Sequence, residues 1–157
     1  PNGKYFSTEN TTRCRVVSAG DDINIDVSLV QSEKGELPHN SRFINVKDSM
    51  DVSETAIEVG KHMHTLGFPQ GIGLQNLKSE MGIQVLARGG SIIHASNEFQ
   101  FGFDAASYGG ASGSPIFNEN GMLIGVLNSG SAKTQGFNYG IKAKYVKDLI
   151  ENAHKVK

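Results

Sequence analysis

Cysteine is almost missing from this chain. Cys14 stands alone among 157 residues, so no internal disulfide can form. A disulfide-stapled extracellular domain is excluded with it, whereas bacterial secretion or a periplasmic location without disulfides stays open. Cys14 itself reads as a small apolar residue buried in a strand. Long apolar runs are also lacking: nothing approaches the roughly 18 consecutive apolar residues of a membrane-spanning helix, and no membrane partner is expected. Charge of one sign is not in excess, since 15 Lys and Arg face 16 Asp and Glu for a net charge of −1. The basic footprint of a nucleic-acid binder is therefore absent. The densest basic stretch, Lys142 to Lys147 with Lys155 and Lys157, reads as a solvated helix face. Tryptophan is missing and aromatic residues make up only 8%. No signal peptide is visible, and Pro1 is not a native start, which fits a targeting segment removed upstream. Histidine is missing from the beginning: the first of the five is His39.

What is present is an apolar content of 38%, enough for a packed core, together with 19 glycines. This favours a turn-rich β architecture of one domain, or one and a half, over a helical bundle. Arg13 to Ser18 and Ile23 to Val30 read as two strands joined by the turn Gly20-Asp21-Asp22. Gln31 to Asn40 shifts to Ser, Glu, Lys, Gly, Pro and Asn, the composition of a linker. Asp51 to Val59 fits a short helical or an extended segment equally well. Further strands are expected at His62 to Gly67, at Ile92 to Ala95, and where Ile83, Val85 and Ala87 alternate with Gln84, Leu86 and Arg88. Phe99, Phe101 and Phe103 alternate with Gln100 and Gly102, placing three rings on one face. Pro115 to Phe117, Met122 to Asn128 and Phe137 to Ile141 complete about six strands. Tyr145, Val146, Leu149, Ile150 and Ala153 form one helical stripe at the C-terminus.

The chemistry concentrates in Gly110-Ala111-Ser112-Gly113-Ser114-Pro115. A serine between glycines offers a nucleophilic oxygen with backbone N–H groups beside it, the pairing that acyl transfer needs. The elbow of α/β-hydrolases does not fit, because it requires G-x-S-x-G on a strand-to-helix turn. Here Ser114 takes the place of the second glycine and the flanks are strands.

The loop instead resembles the nucleophile loop of trypsin-like (chymotrypsin-fold) serine proteases, in particular the bacterial branch of HtrA-type and glutamyl endopeptidases. Asp104-Ala105-Ala106 resembles the run leading into that loop. Asn120-Gly121-Met122-Leu123-Ile124-Gly125-Val126 is similar to the hairpin after it, and Gly136-Phe137-Asn138-Tyr139-Gly140-Ile141 to the strand along the specificity pocket. Leu66-Gly67-Phe68-Pro69 resembles a motif early in the second barrel, and Asp26-Val27-Ser28-Leu29-Val30 the strand whose aspartate orients the catalytic histidine. The resemblance implies an all-β fold: a trypsin-like double β-barrel, with the second barrel complete and the first partial, and a C-terminal α-helix. Residues 1–40 would hold trailing strands of the first barrel and a linker, and 41–157 the second barrel with its helix.

The same resemblance implies the roles. Ser112 would be the nucleophile, and the N–H groups of Gly110 and Ser112 the oxyanion hole. Asp26 would orient the histidine; the alternative for Asp26 is a turn-capping role at the start of its strand. Ala106, Ser107, Tyr108, Asn128, Ser129, Gly130, Gly136 and Asn138 would wall the pocket for a peptide or protein substrate. Ala106 is neutral, so a small or apolar substrate side chain is expected. Ala111 departs from the usual Asn, Asp or Gln before the nucleophile.

One third of the machinery is not in the chain. The family order is His, Asp, Ser, yet His39, His62, His64, His94 and His154 all follow Asp26. The expected reading is a serine endopeptidase whose histidine comes from an N-terminal segment. A pseudoprotease barrel that binds extended peptides without cleaving them is the alternative. No cofactor is expected. His62-x-His64 lacks a third metal ligand, Gly71-Ile72-Gly73 lacks the third glycine and helix of a nucleotide site, and Asn10-Thr11-Thr12 is a glycosylation sequon by pattern alone.

Overall fold

The computed structural model describes residues 12–37, 43, 45, 46, 48–68, 85–131 and 136–155. Strands β1 (Cys14–Ala19) and β2 (Ser28–Ser32) pair as a two-stranded antiparallel sheet. They are followed by a short 3-10 helix, Glu54–Ile57, then by β3 (His62–Gly67), β4 (Leu86–His94), β5 (Gln100–Phe103), β6 (Pro115–Asn118), β7 (Leu123–Gly130) and β8 (Asn138–Lys142). Helix α1 (Ala143–Lys155) is the last of the described elements. The six later strands close into a barrel in the order β3-β4-β5-β8-β7-β6. Closure comes from β6, which pairs with β7 on one edge and returns to β3 on the other, with Met63 opposite Asn118 and Thr65 opposite Ile116.

A six-stranded barrel has a narrow interior, and the sequence fills it with a few large side chains. Met63, Ile92, Phe101, Phe103, Ile116 and Ile141 are all at most 1% exposed. Phe101 dominates. It sits opposite Gly140 across the β5–β8 pair. A Cβ at Gly125 would collide with its ring, and one at Gly140 with Ile116 Cδ1. The alternation at Phe99, Phe101 and Phe103 sends Phe101 and Phe103 inward, while Phe99 packs against Tyr145 of α1 at 5.3 Å between centroids.

The β6–β7 hairpin follows from local chemistry. Asn118 Oδ1 accepts from the N–H groups of Asn120 and Met122, both at 3.0 Å. Gly121 adopts φ 73°, the left-handed position of a three-residue hairpin loop. The helical stripe also forms as expected: Tyr145 and Leu149 are buried, and Val146, Ile150 and Ala153 half-buried. α1 packs across β1, β7 and β8, joining the two sheets. Between Asp51 and Val59 the ambiguity resolves as the 3-10 turn with Ala56 and Ile57 buried. It is tied to the barrel by Asp51 N–H donating to the Leu123 carbonyl at 3.0 Å and by Lys142 Nζ bonded to Glu54 Oε2 at 3.0 Å.

Three expectations need correction. Ile23 to Val27 is not strand: Asp22 Oδ1 accepts from Asn24 N–H at 2.8 Å and the Asp22 carbonyl from Ile25 N–H at 2.9 Å. A side chain competing for nearby backbone donors makes a turn of apolar alternation that otherwise reads as β. Cys14 is on a strand but exposed, because its end of the two-stranded sheet is uncovered. Thirdly, Leu86 to Arg88 and Ile92 to His94, read as parts of two strands, belong to a single strand, β4, with a bulge between Ile92 and His94. Ala87 is exposed, as is Val85 just before the strand. Ile83, Gln84, the Gly71-Ile72-Gly73 loop, His39 and Asn10-Thr11 lie outside the described residues.

Candidate active site

Two consecutive tight turns carry the serine. In the first, Ala111 N–H donates to the Tyr108 carbonyl at 3.1 Å, with Gly110 at φ 91°. In the second, Ser114 N–H donates to the Ala111 carbonyl at 3.0 Å, with Gly113 at φ 88°. Positive φ at the third residue is the mark of a type II turn and explains why glycine occupies both places. Ser112 is therefore the second residue of its turn.

The loop is clamped on its far side. Gly113 N–H donates to the Leu127 carbonyl at 2.7 Å and Leu127 N–H to the Ser114 carbonyl at 2.8 Å. Ser114 is buried, with its hydroxyl pressed so closely on Gly67 that a Cβ there would overlap it. These contacts leave Ser112 exposed. Its hydroxyl donates to the Asn128 carbonyl at 3.0 Å. Among the described residues the N–H groups of Gly110 and Ser112 have no acceptor. Two unsatisfied donors flanking a serine can stabilise an oxygen that becomes negative.

Asn128 links this loop to the other sheet. Its Nδ2 donates to Asp26 Oδ2 at 3.2 Å across 102 residues of sequence. Asp26 is exposed, in the connection just before β2 and not within the strand. It is Asp22, not Asp26, that caps the neighbouring turn. So Asp26 and Ser112 converge on one residue, Asn128. Sequence reasoning named Asn128 only as a pocket wall; nothing in its neighbourhood signals the bond to Asp26.

The remaining expected positions surround the serine loop. Ala106, Ser107 and Tyr108 are half-buried in the run entering the first turn. Asn128, Ser129 and Gly130 end β7, and Asn138 begins β8 opposite Gly130. Asn138 is buried and its Nδ2 donates to the Ala105 carbonyl at 2.7 Å, tying β8 to the run before the serine. Gly136 adopts φ 87° just before it. His62 and His64 lie exposed on β3, and His94 on β4; His62 Nδ1 faces Ser91 Oγ at 3.4 Å. None of these three bonds to Ser112 or Asp26. Among the described residues no three His, Cys, Asp or Glu side chains gather as a metal site.

Residues 2–126 match the family model described as trypsin-like peptidase domain. That stretch includes Asp26 and both turns of the serine loop. Over 134 residues, 85% of this chain, the sequence is 34% identical to the periplasmic serine endoprotease DegP of Escherichia coli K12, and equally to its counterpart in Escherichia coli O157:H7. The chain spans 26% of the length of those relatives. Two solved structures share the fold. The serine endoprotease from Yersinia pestis superposes with a TM-score of 0.66 at 17% identity, covering 90% of this chain and 44% of that one. The HtrA-type protease AlgW with a decapeptide gives 0.64 at 20% identity, covering 92% and 41%.

Proposed function

Because the chain belongs to the trypsin-like peptidase domain family, we propose that it is the nucleophile-bearing part of a serine endopeptidase acting on peptide or protein substrates. The observation that carries this reading is the Ser112 hydroxyl, exposed on a clamped loop and flanked by two unengaged N–H groups. In this reading residues 1–40 are trailing strands and linker of a first barrel, and 41–157 are the second barrel and its helix.

The steps follow from the groups in place. Ser112 Oγ attacks the scissile carbonyl, and the Gly110 and Ser112 N–H groups receive the developing oxyanion. Its proton must leave to a base. At rest it points to the Asn128 carbonyl, which is too weakly basic to take it, and general-base assistance is worth about two to four orders of magnitude. Asp26 is the group that would accept the Nδ1–H of an incoming imidazole and stabilise the imidazolium. That histidine is assigned to a segment beyond this chain. Beside the serine, the β6–β7 pairing ends at Pro115 opposite Val126. Beyond that point Asn128 to Gly130 offer their backbone groups to an extended peptide.

Fluorophosphonate labelling of the full-length protein tests the reading. An adduct on Ser112 that disappears in Ser112→Ala supports it. No adduct on a folded full-length protein would overturn it in favour of a barrel that holds extended peptides without cleaving them.

A further inference from the structure

Asn138 is 5% exposed and stands between two segments that also build the serine site. Its Nδ2 donates to the Ala105 carbonyl at 2.7 Å. That bond fixes the amide's orientation, because a carbonyl accepts only from the NH2 end. Oδ1 then faces Gly130, the cross-strand partner of Asn138, so closely that a Cβ at residue 130 would overlap it. No described donor bonds to Oδ1.

The position of this acceptor is set by β7. Ser112 Oγ bonds to the carbonyl of Asn128 at 3.0 Å, and Gly130 lies two residues further along the strand, about 6.6 Å away. A neutral acceptor therefore sits about one side chain's length from the nucleophile, beside the backbone groups offered to an extended peptide.

Building on the protease reading of Ser112, we propose that Asn138 selects the substrate side chain next to the scissile bond, which is short, neutral and carries a hydrogen-bond donor. Serine and threonine fit best. A purely apolar side chain of the same shape would strip water from Oδ1 and return no bond. A longer one would meet the amide, which Ala105 holds in place. A carboxylate would be repelled by the amide oxygen.

Isosteric pairs of peptide aldehydes test this on the full-length protein, since aldehydes add reversibly to a nucleophilic serine. The peptides are identical except for the last side chain, threonine against valine and serine against aminobutyrate, and binding is read by calorimetry. The threonine and serine aldehydes should bind about five- to tenfold more tightly than their isosteres. In Asn138→Ala that ratio should fall to about one. A wild-type ratio of one or below overturns the proposal, even if the alanine variant fails to fold. So does an absence of aldehyde binding by protein that fluorophosphonate still labels at Ser112. If labelling fails too, the protease reading itself falls, and the selectivity with it.

Discussion

Asn128 Nδ2 donates to Asp26 Oδ2 at 3.2 Å, and the same residue's carbonyl accepts the Ser112 hydroxyl at 3.0 Å. One asparagine thus joins the two residues proposed for nucleophilic catalysis, although one lies in the connection before β2 and the other in the loop before β6. Asn128→Leu keeps the shape and the backbone carbonyl but removes the donor to the aspartate. The bond lies at the surface, so stability should change by less than about 1 kcal/mol. Hydrolysis should suffer more, with kcat/KM of the full-length protein falling roughly tenfold as Asp26 loses its anchor. An unchanged kcat/KM would show that Asp26 holds its place without Asn128.

Gly67 is required by contact, not by its own dihedral angles. A Cβ there would overlap Ser114 Oγ. Gly67→Ala should lower stability by about 1–3 kcal/mol, read from urea denaturation. Combining it with Ser114→Gly should recover part of that loss. Additive losses in the double variant would mean that the two positions do not share the space.

The glycine of the second turn should behave differently. Gly113 meets no atom within 4 Å of an added Cβ, but its φ is 88°. Gly113→Ala should therefore cost about 1 kcal/mol through backbone strain alone. The same substitution should reduce fluorophosphonate labelling by displacing Ser112. Full labelling at normal rate would show that the turn tolerates the residue.

In the barrel, Phe101 fills the volume left by Gly125, and Ile116 the volume left by Gly140. Phe101→Ala should cost about 3–5 kcal/mol. Gly140→Val should also destabilise, since its added carbons have no room beside Ile116 Cδ1. Calorimetric melting of both variants checks this, and an unchanged midpoint in either would contradict the packing.

Tyr145 sets an alkaline limit. Burial, and after it the nearby Glu98 carboxylate, raises its pKa above the ordinary value of 10.0. The fold thus holds the phenolic proton more tightly than the unfolded chain does. This contribution is complete below about pH 10 and is lost as pH rises through the folded pKa. Wild type should lose stability with rising alkali more steeply than Tyr145→Phe. Parallel curves for the two proteins would rule out this linkage.

Local features were legible where a single residue type enforces a local geometry. Gly110, Gly113 and Gly121 mark positive φ. Phe101 and Phe103 alternate inward, and the stripe from Tyr145 to Ala153 gives the helix. Where two local chemistries competed, the pattern misled: Ile23 to Val27 alternates like a strand, but the Asp22 side chain captures the backbone donor that a strand would need. Cys14 was placed on the right element with the wrong burial, since exposure depends on what covers a sheet.

The site divides along the same line. By itself the sequence determined that a serine stands between glycines on a tight loop, that a hairpin follows it, and that no histidine precedes Asp26. Those properties reside in steric preferences of neighbouring residues and in composition, so they survive without knowledge of the fold. Only the tertiary structure decided that Asn128 binds Asp26, that Asn138 braces Ala105, and that Gly67 makes room for Ser114. These depend on β6 returning to β3 and on α1 joining the two sheets. They bring together side chains far apart in the sequence, where local spacing carries no information about contact.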